Sequence, residues 1–167
     1  LLDYSTEAKV IDNLKNASGW EAGGAEIVDV RLVHVGEGIP GVFKGGEKVR
    51  MVICVRAKQD LDQPIVGFIV RDRLGQDLFG DNTHSFTDLN PSPISAGQEF
   101  KAEFVFRLPM LPNGQFAVMA SVANGVLRNN VQHHWLHDAL IINISSSKVR
   151  WGLVGLPFEK VSLRVDQ

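Results

Sequence analysis

Phe100-Lys-Ala-Glu-Phe-Val-Phe-Arg-Leu108, then Pro109-Met-Leu-Pro-Asn-Gly114, then Gln115-Phe-Ala-Val-Met-Ala-Ser-Val-Ala123, reads as two strands separated by a turn. Phe100, Ala102, Phe104, Phe106 and Leu108 recur at every second residue, with Lys101, Glu103, Val105 and Arg107 between them. Successive side chains of a strand point to opposite faces, so this segment carries one apolar face and one mostly charged face. Two prolines and the turn dipeptide Asn113-Gly114 interrupt the alternation. Phe116, Val118, Ala120 and Val122 then resume it as inward positions.

The same period recurs upstream. Val49, Met51, Ile53, Val55 and Ala57 alternate with Lys48, Arg50, Val52, Cys54 and Arg56, and Glu26 to Val35 is β-branched and partly alternating. Val66-Gly-Phe-Ile-Val-Arg-Asp-Arg-Leu-Gly-Gln-Asp-Leu-Phe-Gly-Asp-Asn-Thr83 reads as a tight hairpin turning at Leu74-Gly75, with charged and amide groups at its ends. Ser85 to Gly97 is polar, contains two prolines and reads as a surface loop. Asn124-Gly125 predicts another turn, and Trp135 to Ser145 another strand. Eight or nine strands at short spacing, with no amphipathic helix beyond two turns, predict an all-β fold. The economical arrangement is an antiparallel two-sheet β-sandwich, immunoglobulin-like or jelly-roll, in which each sheet buries one face. Ile65 to Val70 is apolar on both alternating faces, so the pattern does not say which sheet carries a site.

Residues 1–24 read as a linker with a short helical turn at Glu7 to Leu14, Trp20 being the residue expected to pack onto something. The sandwich is expected over 25–146. Residues 147–167 supply a further strand, alternating in Val161-Ser-Leu-Arg-Val165. A small polar hinge before that strand predicts its exchange between two copies in a homodimer. Leucine at position 1 suggests a piece excised from a longer protein.

Composition narrows the function. A chain of 167 residues, 44% hydrophobic and 22% charged, supports one well-buried domain. A formal net charge of -2 offers no basic face for nucleic acid. Cys54, the single cysteine, reads as a small buried hydrophobe. No phosphate loop, Gly-x-Ser-x-Gly elbow or His-Glu-x-x-His motif occurs. Val131-Gln-His-His-Trp-Leu-His-Asp138 holds three of the five histidines. Strand alternation puts His133, Trp135 and His137 on one face. Beside the plain reading of partly exposed polar residues at the mouth of a sheet, that face has two functional readings: a metal centre on a cupin-like barrel from His84, His133 and His137, or a stacking platform at Trp135. Pyranose rings present apolar C–H faces and a rim of hydroxyls. A sugar site therefore wants an exposed aromatic beside Asp, Asn, Arg or His, and arginine if the glycan end is anionic. A protein-interaction domain of immunoglobulin type is a third reading.

Three features then act together. The first is Gly67-x-x-x-x-Asp72-x-x-Gly75-x-x-x-x-Gly80-x-Asn82-Thr83. The second is Phe104-Val-Phe-Arg-Leu-Pro-Met-Leu-Pro-Asn-Gly-Gln-Phe116, with Gln115-Phe116 where a tyrosine is more usual. The third is His134-Trp-Leu-His-Asp138 before an aliphatic strand. Over about residues 25 to 146 the chain resembles the C-terminal carbohydrate-binding domain of Wzt-type ATPase subunits, which belong to ABC transporters exporting O-antigen polysaccharide. The resemblance implies a non-catalytic sandwich without cofactor or metal, attached to a cytoplasmic ATPase domain. It implies partnership with the transporter's ATPase and membrane subunits at the inner face of the inner membrane. The expected ligand is the non-reducing terminus of a lipid-linked O-polysaccharide, of polymannose type and capped by methyl or phosphate. Candidate ligand-binding residues are Arg71, Asp72, His84, Asn124, Arg128, His133 and Trp135.

Overall fold

The computed structural model describes residues 7–87, 90, 92–126, 129–145, 151–156 and 158–165. Its strands are β1 (Glu7–Asp12), β2 (Gly19–Glu21), β3 (Ala25–His34), β4 (Val42–Phe43), β5 (Lys48–Ala57), β6 (Pro64–Asp72), β7 (Asp77–Asn82), β8 (Glu99–Arg107), β9 (Gly114–Val126) and β10 (Asn129–Ser145). One helical turn, α1 (His84–Thr87), follows β7. A three-stranded sheet runs β3-β5-β8, and a seven-stranded sheet runs β4-β1-β10-β9-β6-β7, with β2 also paired to β10. Every pairing between these strands is antiparallel. The expected all-β sandwich is what the chain forms.

The alternating residues meet between the sheets. Val49, Met51, Ile53, Val55 and Ala57 of β5 are all buried, facing Phe116, Val118, Ala120 and Val122 of β9 in one core cluster. Phe104 and Phe106 of β8 close over Phe68 of β6 at ring-centroid distances of 5.0 and 5.7 Å. The Pro109–Gly114 segment does not make a hairpin. It carries the chain from β8 in one sheet to β9 in the other, so the two strands share a core without sharing a ladder.

Three expectations need correction. Residues 7–21 are not a linker, because β1 and β2 lie in succession along one edge of β10. The segment between them is a 3-10 turn at Leu14–Asn16, and Glu7–Asp12 is strand rather than helix. Backbone pairing to a long strand needs no amphipathic signal, so the sequence pattern carries none. Asn124-Gly125 does not turn either, for it stays in the ladder with Gly125 opposite Asn130. Cys54 lies on the outer face of β5, half-buried between Asp29 and Lys101 by register. The described parts of 151–165 pair with the rest of the chain at a single bridge, Met110 to Gly155.

Candidate functional site

The two outer faces differ in chemistry. That of β3-β5-β8 is laced with ion pairs, including Arg31–Asp29 at 2.7 Å, Arg56–Glu99 at 2.7 Å and Lys101–Glu103 at 2.9 Å. That of the larger sheet is small, amide-rich and aromatic. Register places Asn82, Gly67, Ser121, Trp135 and Trp20 in one row across β7, β6, β9, β10 and β2. Residues directly opposite one another share a face. The middle of this row has almost no side chain, since Gly67 and Ser121 stand between Asn82 and Trp135. A depression results, with Gly67, Ser121 and Ala123 as its floor.

The depression has a volume of about 540 Å³. Ile65, Ile69 and Ala123 give it an apolar base, Trp135, Gln132 and Asn130 one wall, and Asp77, Asp81 and Asn82 the other. Ile65 and Ala123 are buried, yet they stand outside the intersheet core cluster. This explains why β6 is apolar on both faces: Val66, Phe68 and Val70 fill the core while Ile65, Gly67 and Ile69 floor the groove. The indole Nε1 of Trp135 and the Oε1 of Gln132 are shielded and have no hydrogen-bond partner among the described residues. An unpaired shielded donor or acceptor costs about 1–3 kcal/mol.

A second concavity of about 340 Å³ opens between the edge strands β7 and β8, lined by Phe68, Phe79, Phe86, Phe104 and Phe106. Its described lining lacks the amides and the tryptophan of the first.

Of the candidate ligand-binding residues that the structure describes, Trp135 alone lines the groove. Arg71 stands at the end of β6 and is paired with Asp77, which does line it. Asp72 serves the backbone, its Oδ1 accepting from Leu74 N–H at 2.8 Å and Gln76 N–H at 3.0 Å and so closing the hairpin turn. Asn124 Oδ1 accepts from Gln63 N–H at 2.8 Å and so tethers the loop before β6. His84 borders a separate small crevice with Gln63, Pro64 and Thr87. Arg128 lies outside the described residues. Ser121, Gln132 and Asn130 were missed as site residues, and Gly67 and Asn82 were read only as parts of the hairpin motif. Glycine and serine at outward positions of apolar strands are the signal that could have found the floor, because a glycine in a strand marks a close approach.

His133 is displaced by a bulge. Gln132 pairs with Ala123 and His134 with Val122, so His133 has no ladder partner and parity inverts across it. Trp135 and Gln132 therefore share the outer face, while His133 turns inward and is 5% exposed. Its ring packs on Gly24, where a Cβ would come within 2.2 Å of Nδ1. Next to it, His134 Nδ1 accepts the Ile27 N–H at 2.9 Å, which requires that nitrogen to be unprotonated. Burial lowers the pKa of both imidazoles below their ordinary value, opposed at His134 by Glu21 and Glu26. Among the described residues no three His, Cys, Asp or Glu side chains gather as a metal would require. His84, His133 and His137 do not converge.

The Wzt C-terminal domain family model matches residues 16–156. A solved structure described as the crystal structure of the C-terminal domain of Wzt superposes with a TM-score of 0.73 at 18% identity, covering 91% of this chain and 96% of that one. At that identity the likeness speaks for the fold. No curated protein sequence matches the chain.

Proposed function

We propose, from the premise that this chain belongs to the Wzt C-terminal domain family, that it recognises the non-reducing terminus of a lipid-linked O-antigen polysaccharide without catalysing a reaction. Recognition of that terminus selects the cargo that an ABC transporter exports. The domain would then work at the inner face of the inner membrane, beside the transporter's ATPase and membrane subunits. No described helix is long and apolar enough to cross a membrane.

The observation that carries this reading is the groove of Trp135, Gly67 and Ser121 on the outer face of the larger sheet. Its volume of about 540 Å³ lies within the ~300–1,000 Å³ usual for small-ligand sites. Bare strand backbone lets a ring approach closely, the indole offers it an apolar face, and the amides and carboxylates of the rim match its hydroxyls. A hydroxyl donates and accepts at once, so the rim of a sugar suits the mixed amides and carboxylates of Asn82, Asn130, Asp77 and Asp81. The described lining holds Asp77 and Asp81 and no Lys or Arg, and Arg71 is committed to Asp77. An uncharged terminus, such as a methylated sugar, therefore fits these groups better than a phosphate cap does.

Calorimetric titration of the domain with O-polysaccharides differing only in their terminal cap tests the proposal. Terminus recognition predicts that affinity follows the cap. Equal binding of capped and uncapped polymer would remove it.

The domain is further proposed to act as a homodimer. Val161, Leu163 and Val165 alternate along the C-terminal segment and are 81%, 97% and 90% exposed in the single chain. Such a segment is expected to cover a free sheet edge of a second copy. A chain ending at Ser146 that remained dimeric and soluble in sedimentation would refute the exchange.

A further inference from the structure

We infer that Trp20 forms a second sugar subsite beside the groove, a stacking platform for the residue two places behind the terminal one. The inference rests on the groove being the glycan site and extends it along the row defined by Trp135.

Trp20 lies in β2, a three-residue strand held to the middle of β10 with Trp20 directly opposite Trp135. Its neighbour Glu21 is opposite His134, which turns inward, and Glu21 reaches Lys58 at 2.5 Å beside the smaller sheet. Strand alternation consequently sends Trp20 to the outer face, the same side as Trp135. There it is 48% exposed. Core packing does not account for it, since Trp20 is not part of the buried cluster.

The position is held in place by its surroundings. A Cβ at Gly19 would come within 1.8 Å of the Trp135 carbonyl oxygen, so glycine there lets β2 close onto β10. Ser18 N–H donates to Asp138 Oδ1 at 2.7 Å, and His137 N–H donates to the Ser18 carbonyl at 2.9 Å. These bonds fasten the approach to β2 across the wide bulge between Leu136 and Leu140. Neighbouring strands lie about 4.8 Å apart, so Trp20 stands two such steps, about 10 Å, from Ser121, a span comparable to two residues of a glycan. A terminal sugar seated over Gly67 and Ser121 against Trp135 would thus lead its chain out past Trp20. The opposite direction is walled by Asn82 and the edge strand β7.

The test uses O-polysaccharide fragments of one to four residues sharing one non-reducing end, titrated against the unaltered domain, Trp20→Ala, Trp20→Phe and Trp135→Ala. The expected result is that Trp20→Ala leaves the one- and two-residue fragments unchanged and weakens the three- and four-residue ones about three- to tenfold. Trp20→Phe should restore most of that loss, which a merely structural defect would not allow. Unchanged affinity of every fragment for Trp20→Ala overturns the subsite, as does equal weakening of short and long fragments. Loss of binding in Trp135→Ala alongside either result keeps the groove and removes only Trp20. Failure of the unaltered domain to bind any fragment overturns the groove and the subsite together.

Discussion

Replacing Trp135 by alanine separates what this side chain does for the ligand from what it does for the fold. A sugar face covering about 50 Å² of the indole contributes about 1.3 kcal/mol at ~25 cal/mol per Å². The specific attraction of the ring adds about 0.5–1.5 kcal/mol. Loss of both predicts a Kd raised roughly 20- to 100-fold. The fold loses less, because Trp135 is only half-buried. Its ring borders a small cleft with Ile69 and Met119, the latter 2% exposed on the sheet's outer side. Full truncation of a buried aromatic costs about 3–5 kcal/mol, so about half of that is expected here. Trp135→Phe keeps a stacking ring and removes the unpaired Nε1 donor. It should retain stability and weaken glycan binding only about twofold, the worth of ~20 Å² of lost ring face at ~25 cal/mol per Å². Titration calorimetry gives the affinities, and chemical denaturation gives the stabilities. A well-folded Trp135→Ala domain that binds the polysaccharide as tightly as the unaltered one refutes the reasoning.

Other outcomes follow from the same geometry. Gly80→Ala would place a Cβ 2.2 Å from the Phe68 carbonyl oxygen, so β7 must move away from β6. Both the melting temperature and glycan affinity should fall, because Asp77, Asp81 and Asn82 ride on β7. Asp72→Ala removes the acceptor for two turn N–H groups and should cost about 1 kcal/mol of stability while leaving affinity unchanged, which denaturation and titration check together. His133 and His134 have pKa values held by burial below the ordinary 6.5, so near that pH the unfolded chain binds more protons than the folded one. Stability is then complete above about pH 6.5 and declines as pH falls below it. Carboxylates lowered by lysine partners, Glu21 and Glu103, add their losses only below the ordinary value of 4.5. Melting temperatures between about pH 7.5 and about pH 5 should therefore drop, and His133→Phe with His134→Gln should flatten that drop.

The architecture was legible because its signal is periodic. Alternation in β5, β8 and β9 follows directly from which side chains reach the core, and the hairpin of β6 and β7 announces itself through Gly75 and its polar ends. β1 and β2 were illegible because their role is to hydrogen-bond a neighbour with backbone groups, which leaves no pattern in side chains. The site was partly legible. Trp135 stood out as an aromatic among polar residues, but assigning His133 to its face assumed an unbroken period of two. A single bulged residue inverts every assignment beyond it. Asp72 and Asn124 illustrate another ambiguity, since Asp and Asn near turns serve the backbone at least as readily as a ligand. The floor was overlooked because what makes it a floor is the smallness of Gly67 and Ser121, and a search for hydrogen-bonding side chains passes over small residues.

The most direct test of the account is an amide and indole NMR titration of the domain with an oligosaccharide carrying the O-polysaccharide's non-reducing end. The account predicts shifts concentrated at Gly67, Ser121, Gln132 and the Trp135 indole, with the face of β3-β5-β8 silent. Shifts centred instead on that ion-paired face, or on the phenylalanine-lined opening between β7 and β8, would contradict it.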